Sequence, residues 1–223
     1  RGRVMAVTEL SWSLAFMAGV PLLGWLLGSR GWPAPFALLA GLGVLCLVVI
    51  AVYLPGGKPA VRLDASGAVL QAGGLRQVLA LPAAIAALFL SFSLTTANEM
   101  INLMFGVWLE DSFQLQLGAL AASTAVLGLA ELGGESLTVA LVDKLGKPRA
   151  IRIGIAANIA ASLGLLVLGR TEFSALAGLF LFYLSFEFTM VSSLPLISAV
   201  APGARATLMA VNLMAFSLGR AAG

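Results

Sequence analysis

Seven long apolar runs, separated by short charged or Pro/Gly-containing stretches, leave the chain few alternatives to a bundle of membrane-spanning helices. A helix needs about 20 mainly apolar residues to cross a bilayer. The predicted spans are 4–28, 35–54, 82–109, 117–142, 151–168, 173–200 and a last one that begins near 207. With 60% apolar and 10% charged residues among 223, the composition excludes a soluble enzyme, a nucleic-acid-binding protein and a disordered chain. The predicted fold class is an all-α polytopic membrane protein.

The sequence contains no histidine and a single cysteine, Cys46. Zinc sites of the HExxH type and Ser-His or Cys-His nucleophile pairs therefore cannot form. The lysines, Lys58, Lys144 and Lys147, lie in predicted loops, away from the acidic residues of the spans. We expect neither an enzyme nor a bound metal or cofactor.

Lys and Arg residues are distributed unevenly between the two sides of the predicted helices. Most lie on the side of Arg1 and Arg3, and the loops of the opposite side hold Arg30 and Arg170. Because cytoplasmic loops carry the excess of basic residues, the side of Arg1 is predicted to be cytoplasmic. The loops assigned to that side are 1–3, 55–81, 143–150 and 201–206. The chain lacks an initiator Met and a signal peptide and ends within an apolar run, so we expect it to be a piece of a longer protein.

The start of the chain matches a segment near its end. Residues 1–7 read RGRVMAV and residues 205–211 read RATLMAV, and at the same offset Ser13 and Leu14 align with Ser217 and Leu218. Self-similarity in a membrane protein usually reflects duplicated halves. Six predicted spans separate the two copies and both begin on the cytoplasmic side, which indicates a parallel repeat of six plus six helices.

Three motifs accompany this repeat: DKLGKPR at 143–149, GVPLLG at 19–24, and Arg-x3-Met-Ala at Arg1 and Arg205. On these motifs the chain resembles the major facilitator superfamily, in its bacterial drug-efflux-like branch. The first resembles the loop signature G-x-L-x-D-R-x-G-R-R, from which it departs at the first glycine, Val139 here. The second resembles a degenerate form of the antiporter signature Gly-Pro-x-x-Gly-Gly of helix five. The third matches the loops before helices five and eleven.

The resemblance implies a truncated major facilitator fold that comprises helices five to eleven of twelve. Residues 1–54 would hold helices five and six, 55–81 the central cytoplasmic loop with a short helix around 68–79, and 82–223 helices seven to eleven. It also implies a monomer in the bacterial inner membrane that binds a small-molecule substrate and protons. The motif residues expected to serve gating or helix packing are Asp143, Lys144, Gly146, Arg149, Arg1, Arg205, Gly19, Pro21 and Gly24. Asp143 would pack on the N-terminus of the first span and gate the cytoplasmic side.

The third span is the most polar, with Ser, Thr, Asn and Glu side chains that lipid cannot satisfy. Its expected cavity residues are Thr95, Asn98, Glu99 and Asn102. Glu99 is predicted to act on substrate or protons, and the alternative is a hydrogen-bond network between helices.

Further ionisable residues lie within the spans, where each needs a compensating partner or a function. Glu131 and Glu135 share one helical face and cannot both ionise easily, so one is expected to hold a proton, with Glu9 as a possible third member. Alternatively they satisfy donors between the first and fourth spans, where the glycines at 133 and 134 indicate close packing. Glu187 and Arg220 lie at similar depth and are predicted to pair, unless each faces a wet cavity separately.

These features predict a secondary transporter that exports small amphipathic or cationic compounds in exchange for protons. An importer of a sugar or another metabolite is the alternative, and a non-transporting sensor on the same fold is a third possibility. Aromatic residues such as Trp12, Phe16, Tyr183, Phe186 and Phe188 could stack on either kind of substrate.

Overall fold

The computed structural model describes residues 14–53 and 74–223. Helices make up nearly all of these two ranges, and they contain no strand. The elements are a π-helical turn (Ala15–Gly19), α1 (Val20–Arg30), α2 (Pro33–Tyr53), α3 (Leu75–Leu79), α4 (Pro82–Phe113), α5 (Leu117–Leu145), α6 (Lys147–Leu168), α7 (Glu172–Val200), a 3-10 turn (Pro202–Ala204) and α8 (Arg205–Ala222).

Five of the described helices, α2, α4, α5, α6 and α7, are long and apolar enough to cross a membrane. This confirms the prediction of a multi-pass helical protein. The helix α8 is shorter and carries Arg205 and Arg220 near its two ends. The first predicted span falls partly on residues 1–13, outside the described residues, and so does most of the predicted central loop. Helix α3 lies at the end of that loop, within the segment where a short helix was predicted.

The helix ends are set by the local sequence, and the predicted end of the third span is wrong. The third span was predicted to end at residue 109, but α4 continues to Phe113, so Glu110 and Asp111 belong to the helix. Neither Gly nor Pro interrupts this segment, and the helix stops only where Gln114 takes a left-handed conformation with φ 55°. Between α5 and α6 a single residue, Gly146, makes the turn with φ 79°, which a residue with a Cβ rarely adopts.

Helix α7 lies at the centre of the described bundle. It packs along α6 and α5 and crosses α4, while α4 packs along α8, and α1 with its π-helical turn packs on α5. Tyr183 and Phe182 of α7 are fully buried in a cluster with Leu109 of α4 and Leu127 of α5. By contrast α2 has no buried residue, as expected for an apolar helix that faces lipid.

Glycine allows α5 and α7 to approach closely. A Cβ placed on Gly134 would lie 2.6 Å from the Leu184 carbonyl oxygen and 2.8 Å from the Glu187 Cβ. The glycines at 133 and 134 were predicted, in one of two interpretations, to mark close packing with the first span; the structure places them against α7, and residues 4–13 of that span lie outside the described residues. The first span reaches α5 elsewhere, where Gly24 packs on Ala121.

Candidate functional site

A cavity of about 300 Å³ lies between α4, α7 and α8. Its lining residues are Thr95, Asn98, Phe186, Glu187, Met190, Leu213, Phe216, Ser217 and Arg220. Four larger cavities of the described residues are lined mainly by apolar atoms. Pockets of this size, with an apolar wall and a few polar groups, are typical small-molecule sites.

The cavity brings together four of the residues proposed from the sequence: Thr95, Asn98, Glu187 and Arg220. Asn98 is 5% exposed and Glu187 is 4% exposed. Within the described residues, the Asn98 Oδ1 has no hydrogen-bond partner. A buried glutamate and a buried asparagine therefore line the same cavity.

Glu99 is not among the lining residues of this cavity but forms an ion pair with Arg220, which is one of them. The Arg220 Nε is 3.6 Å from the Glu99 Oε2, and the pair joins α4 to α8. Arg220 was predicted to pair with Glu187, and its pairing with Glu99 was not predicted. Arg220 and Glu187 lie on the wall of the same cavity, and the interaction between them remains a prediction.

Asn102 is bonded to α7 rather than turned toward the cavity. The Tyr183 hydroxyl, on a fully buried ring, donates a hydrogen bond to the Asn102 Oδ1. The carboxyl groups of Glu131 in α5 and of Glu99 in α4 lie near this hydroxyl. Tyr183 was predicted only as an aromatic ring for stacking, because nothing in the local sequence indicates which polar group its hydroxyl meets.

Glu131 and Glu135 are both buried, at 1% and 8% exposure. Gly134, between them, packs on α7, and one turn further Thr138 donates a hydrogen bond of 3.3 Å to the Phe188 carbonyl. Glu131 lies on the same helical face as Gly134 and Thr138, the face that packs on α7. Glu9, proposed as a third member of this group, lies outside the described residues.

The loop motif lies at the end of α5 and the start of α6. Asp143, Lys144, Gly146 and Arg149 are all exposed there. Arg1 and the N-terminus of the first span lie outside the described residues, so the expected contact of Asp143 cannot be placed. Arg205 has a local role, since its Nε donates a hydrogen bond of 2.7 Å to the Ser198 carbonyl and ties the end of α7 to the start of α8.

The GVPLLG motif coincides with a change in helix type. The Val20 N–H donates to the Ala15 carbonyl, one residue further back than in an α-helix, and this π-helical turn ends at Gly19. Pro21 follows within the first turn of α1. Such turns occur mostly as single insertions in α-helices, frequently at functional sites. Gly24, at the end of the motif, allows α1 to pack closely on Ala121 of α5.

Five apolar helices, two of which carry buried glutamates, and a cavity between three helices define a multi-pass α-helical membrane protein with a partly polar cavity inside its bundle. Within the described residues, no group of three or more His, Cys, Asp or Glu side chains could hold a metal ion.

The chain belongs to the major facilitator superfamily, whose family model matches residues 1–223. It is 25% identical over 223 residues to an uncharacterized MFS-type transporter, YceJ, of Bacillus subtilis (strain 168), a match that covers 98% of this chain and 55% of that protein. It is also 36% identical over 80 residues to a multidrug resistance protein B homolog of Mycobacterium tuberculosis, covering 35% of this chain and 15% of that protein. The chain thus spans about half of the length of the Bacillus relative. No solved structure matches the chain.

Proposed function

We propose that this chain is part of a secondary transporter that exports small amphipathic cations in exchange for protons. The observation that carries the proposal is Glu187, a carboxyl group at 4% exposure on the wall of the α4/α7/α8 cavity. The similarity to the mycobacterial multidrug resistance homolog, over part of the chain, also supports export.

The proposed coupling follows from the cost of burying a charge. An ionised carboxylate in a low-dielectric site is costly unless a cation or a proton compensates it. A substrate cation and a proton would therefore compete for Glu187. Binding of the cation would release the proton, and protonation would release the cation. Glu131, Glu135 and Glu99 are proposed to belong to the same proton pathway, with Tyr183 and Asn102 between them.

The proposed transport cycle is alternating access. The two six-helix halves of the full-length protein would rock about the cavity and open it to one side of the membrane at a time. Asp143 and the DKLGKPR motif are proposed to make and break the cytoplasmic gate. The proposed location is the bacterial inner membrane, and the proposed form is a monomer.

The experiment uses the full-length protein in bacterial cells that lack their main exporters. Cells are loaded with a fluorescent organic cation, and its retention is followed with and without a protonophore. We expect expression to lower retention, the protonophore to restore it, and Glu187→Gln to abolish the effect. Glu110→Gln, which changes an exposed carboxyl group at the end of α4, is the matched control and should export normally.

Two results would contradict the proposal. Dye retention that does not change on expression of a membrane-inserted protein would exclude export of such cations and favour the import of a metabolite. Export that persists in Glu187→Gln at the level of Glu110→Gln would remove Glu187 from the mechanism.

A further inference from the structure

The inner groove, a cavity of about 460 Å³, lies between α4, α6 and α7 at the end of the bundle that is predicted to be cytoplasmic. Its lining is apolar except for Ser193 and Arg152. Ile197 of α7, at 2% exposure, belongs to its floor, while Ala83 and Ala86 of α4 are exposed on its wall. The groove therefore opens sideways, away from the centre of the bundle.

The surroundings of the inner groove are lipid. Both helices that flank it, α4 and α6, are long and apolar enough to cross a membrane, and both pack on α7. A void along such helices loses the dispersion contacts of its lining atoms, and the acyl chain of a lipid restores them. The small side chains of Ala83 and Ala86 leave room for such a chain on the α4 side.

Arg152 is the charged residue among those that line the inner groove. Its Nε donates a hydrogen bond of 3.2 Å to the Pro148 carbonyl, which directs the guanidinium one turn back toward the start of α6. A long basic side chain in a membrane helix extends in this way to bring its charge to the interface. Within the described residues, Arg152 forms no ion pair, and its two terminal nitrogens have no hydrogen bond.

The position of Arg152 along α6 matches the head groups of one leaflet. Arg170 follows the opposite end of this helix, and at 1.5 Å per residue the two arginines lie roughly 27 Å apart along its axis. The hydrocarbon core of a bilayer is about 30 Å thick. The apolar part of the inner groove thus lies at the depth of acyl chains, and its charged end lies at the depth of phosphate groups.

The charge around this end of α6 is positive. Residues 143–152 hold four basic side chains against one acidic side chain, Asp143, and the first turn of α6 has no acidic residue. The basic residues are Lys144, Lys147, Arg149 and Arg152. Basic clusters beside a membrane helix attract lipids with a net negative charge.

We propose that the inner groove binds an anionic phospholipid, whose phosphate contacts the Arg152 guanidinium and whose acyl chain lies along Ala83 and Ala86. A guanidinium presents paired N–H groups that match two oxygens of a phosphate. The bound lipid would connect α4 with α6 across α7. This site is separate from the α4/α7/α8 cavity, and the proposal does not depend on what that cavity transports.

The test measures lipid binding to the full-length protein in detergent by native mass spectrometry. Dioleoyl-phosphatidylglycerol and dioleoyl-phosphatidylcholine have the same chains and differ in net charge. We expect the wild type to bind the glycerol lipid about fivefold more tightly, which is the effect of one basic residue at an anionic surface. Arg152→Gln should abolish this preference. Arg149→Gln is the matched control, because it removes the same charge from the same helix but lies outside the groove lining, and it should retain most of the preference.

A second variant tests the acyl chain. Ala86→Phe places a ring in the groove from an exposed position of α4, and should weaken the binding of both lipids several-fold. Ala160→Phe is its control, since Ala160 is exposed on α6 outside the groove lining, and it should bind both lipids as the wild type does. The unfolding midpoint of each variant confirms that it is folded.

Three results would overturn the proposal. Equal affinity of the wild type for the two lipids would exclude an anion-selective site. Equal losses in Arg152→Gln and Arg149→Gln would indicate attraction to the basic surface as a whole. Binding that Ala86→Phe leaves unchanged would show that the acyl chain lies elsewhere, with the groove filled by another segment of the full-length protein. None of these measurements involves dye export, so they fail or succeed independently of the proposed function.

Discussion

The Arg220 guanidinium reaches Glu99 across the contact between α8 and α4, with 3.6 Å between Nε and Oε2. Arg220 is 43% exposed and Glu99 is 22% exposed, so the pair lies at the edge of the described bundle rather than in its core. Glu187 lies on the same cavity wall as Arg220. Arg220 thus pairs with Glu99 of α4 and lines the same cavity as Glu187 of α7.

Two double-mutant cycles measure which carboxyl group Arg220 depends on. We expect the cycle of Glu99→Gln with Arg220→Gln to give a coupling of about 0.5–1 kcal/mol, the upper part of the range for partly exposed pairs. The cycle of Glu187→Gln with Arg220→Gln tests the pair predicted from the sequence. Both are measured as thermal unfolding of the full-length protein in detergent. Additive effects in the first cycle would show that the ion pair contributes nothing to stability.

Tyr183→Phe should destabilise the protein, because it removes one hydroxyl and leaves the Asn102 Oδ1 without its donor. The expected loss in the free energy of unfolding is about 1–3 kcal/mol. Removing both partners is expected to cost less than the sum of the single changes, since no buried acceptor is left. The measurement is the unfolding midpoint of Tyr183→Phe, Asn102→Leu and the double variant. A double variant that is exactly additive would contradict the bond as a stabilising contact.

Gly134→Ala should push α5 and α7 apart. Its new Cβ would lie 2.6 Å from the Leu184 carbonyl oxygen, and backbone atoms can yield only if the helices shift. Overpacking of this kind costs about 1–3 kcal/mol. Gly133→Ala is the matched control, because its Cβ would meet only the flexible end of the Leu184 side chain, at 3.3 Å. We expect a lower unfolding midpoint and weaker export for Gly134→Ala than for Gly133→Ala, and equal behaviour would contradict the close contact.

Asp143→Asn tests the proposed cytoplasmic gate. The side chain is exposed at the end of α5, so the change should leave the amount of membrane-inserted protein intact. If its charge holds the N-terminus of a helix from the other half, the loss should lower the rate of dye export several-fold. Asp111→Asn, at the exposed end of α4, serves as the control. Export at the wild-type rate in Asp143→Asn would argue against a gating role.

The membrane-spanning architecture could be predicted from the sequence because it depends on local properties. A run of about 20 apolar residues must form a helix in lipid, whatever its neighbours are. The ends of the helices could not be predicted from hydropathy alone. Helix α4 continues to Phe113 because no residue between 109 and 113 breaks it. The polar character of α4 was also a local property; of the four residues that it predicted for a cavity, Thr95 and Asn98 line the α4/α7/α8 cavity, whereas Glu99 and Asn102 are not among its lining residues.

The partners of the polar residues could not be predicted in the same way. Glu99 and Glu187 both lie at a depth that Arg220 could reach, and spacing along the chain does not choose between them. Likewise the glycines at 133 and 134 indicate a close contact but do not say with which helix. The partners can be assigned only when the orientation of each helix about its own axis and its position in the bundle are known.

The sequence by itself determined that this protein is a bundle of membrane helices with acidic residues inside, because hydropathy and the cost of buried charge act on each segment separately. Only the tertiary structure decided that α7 lies against α5 at Gly134, that Tyr183 bonds to Asn102, and that Asn98 lines a cavity between α4, α7 and α8. These relations join residues far apart in the chain, and the simultaneous packing of several helices fixes them.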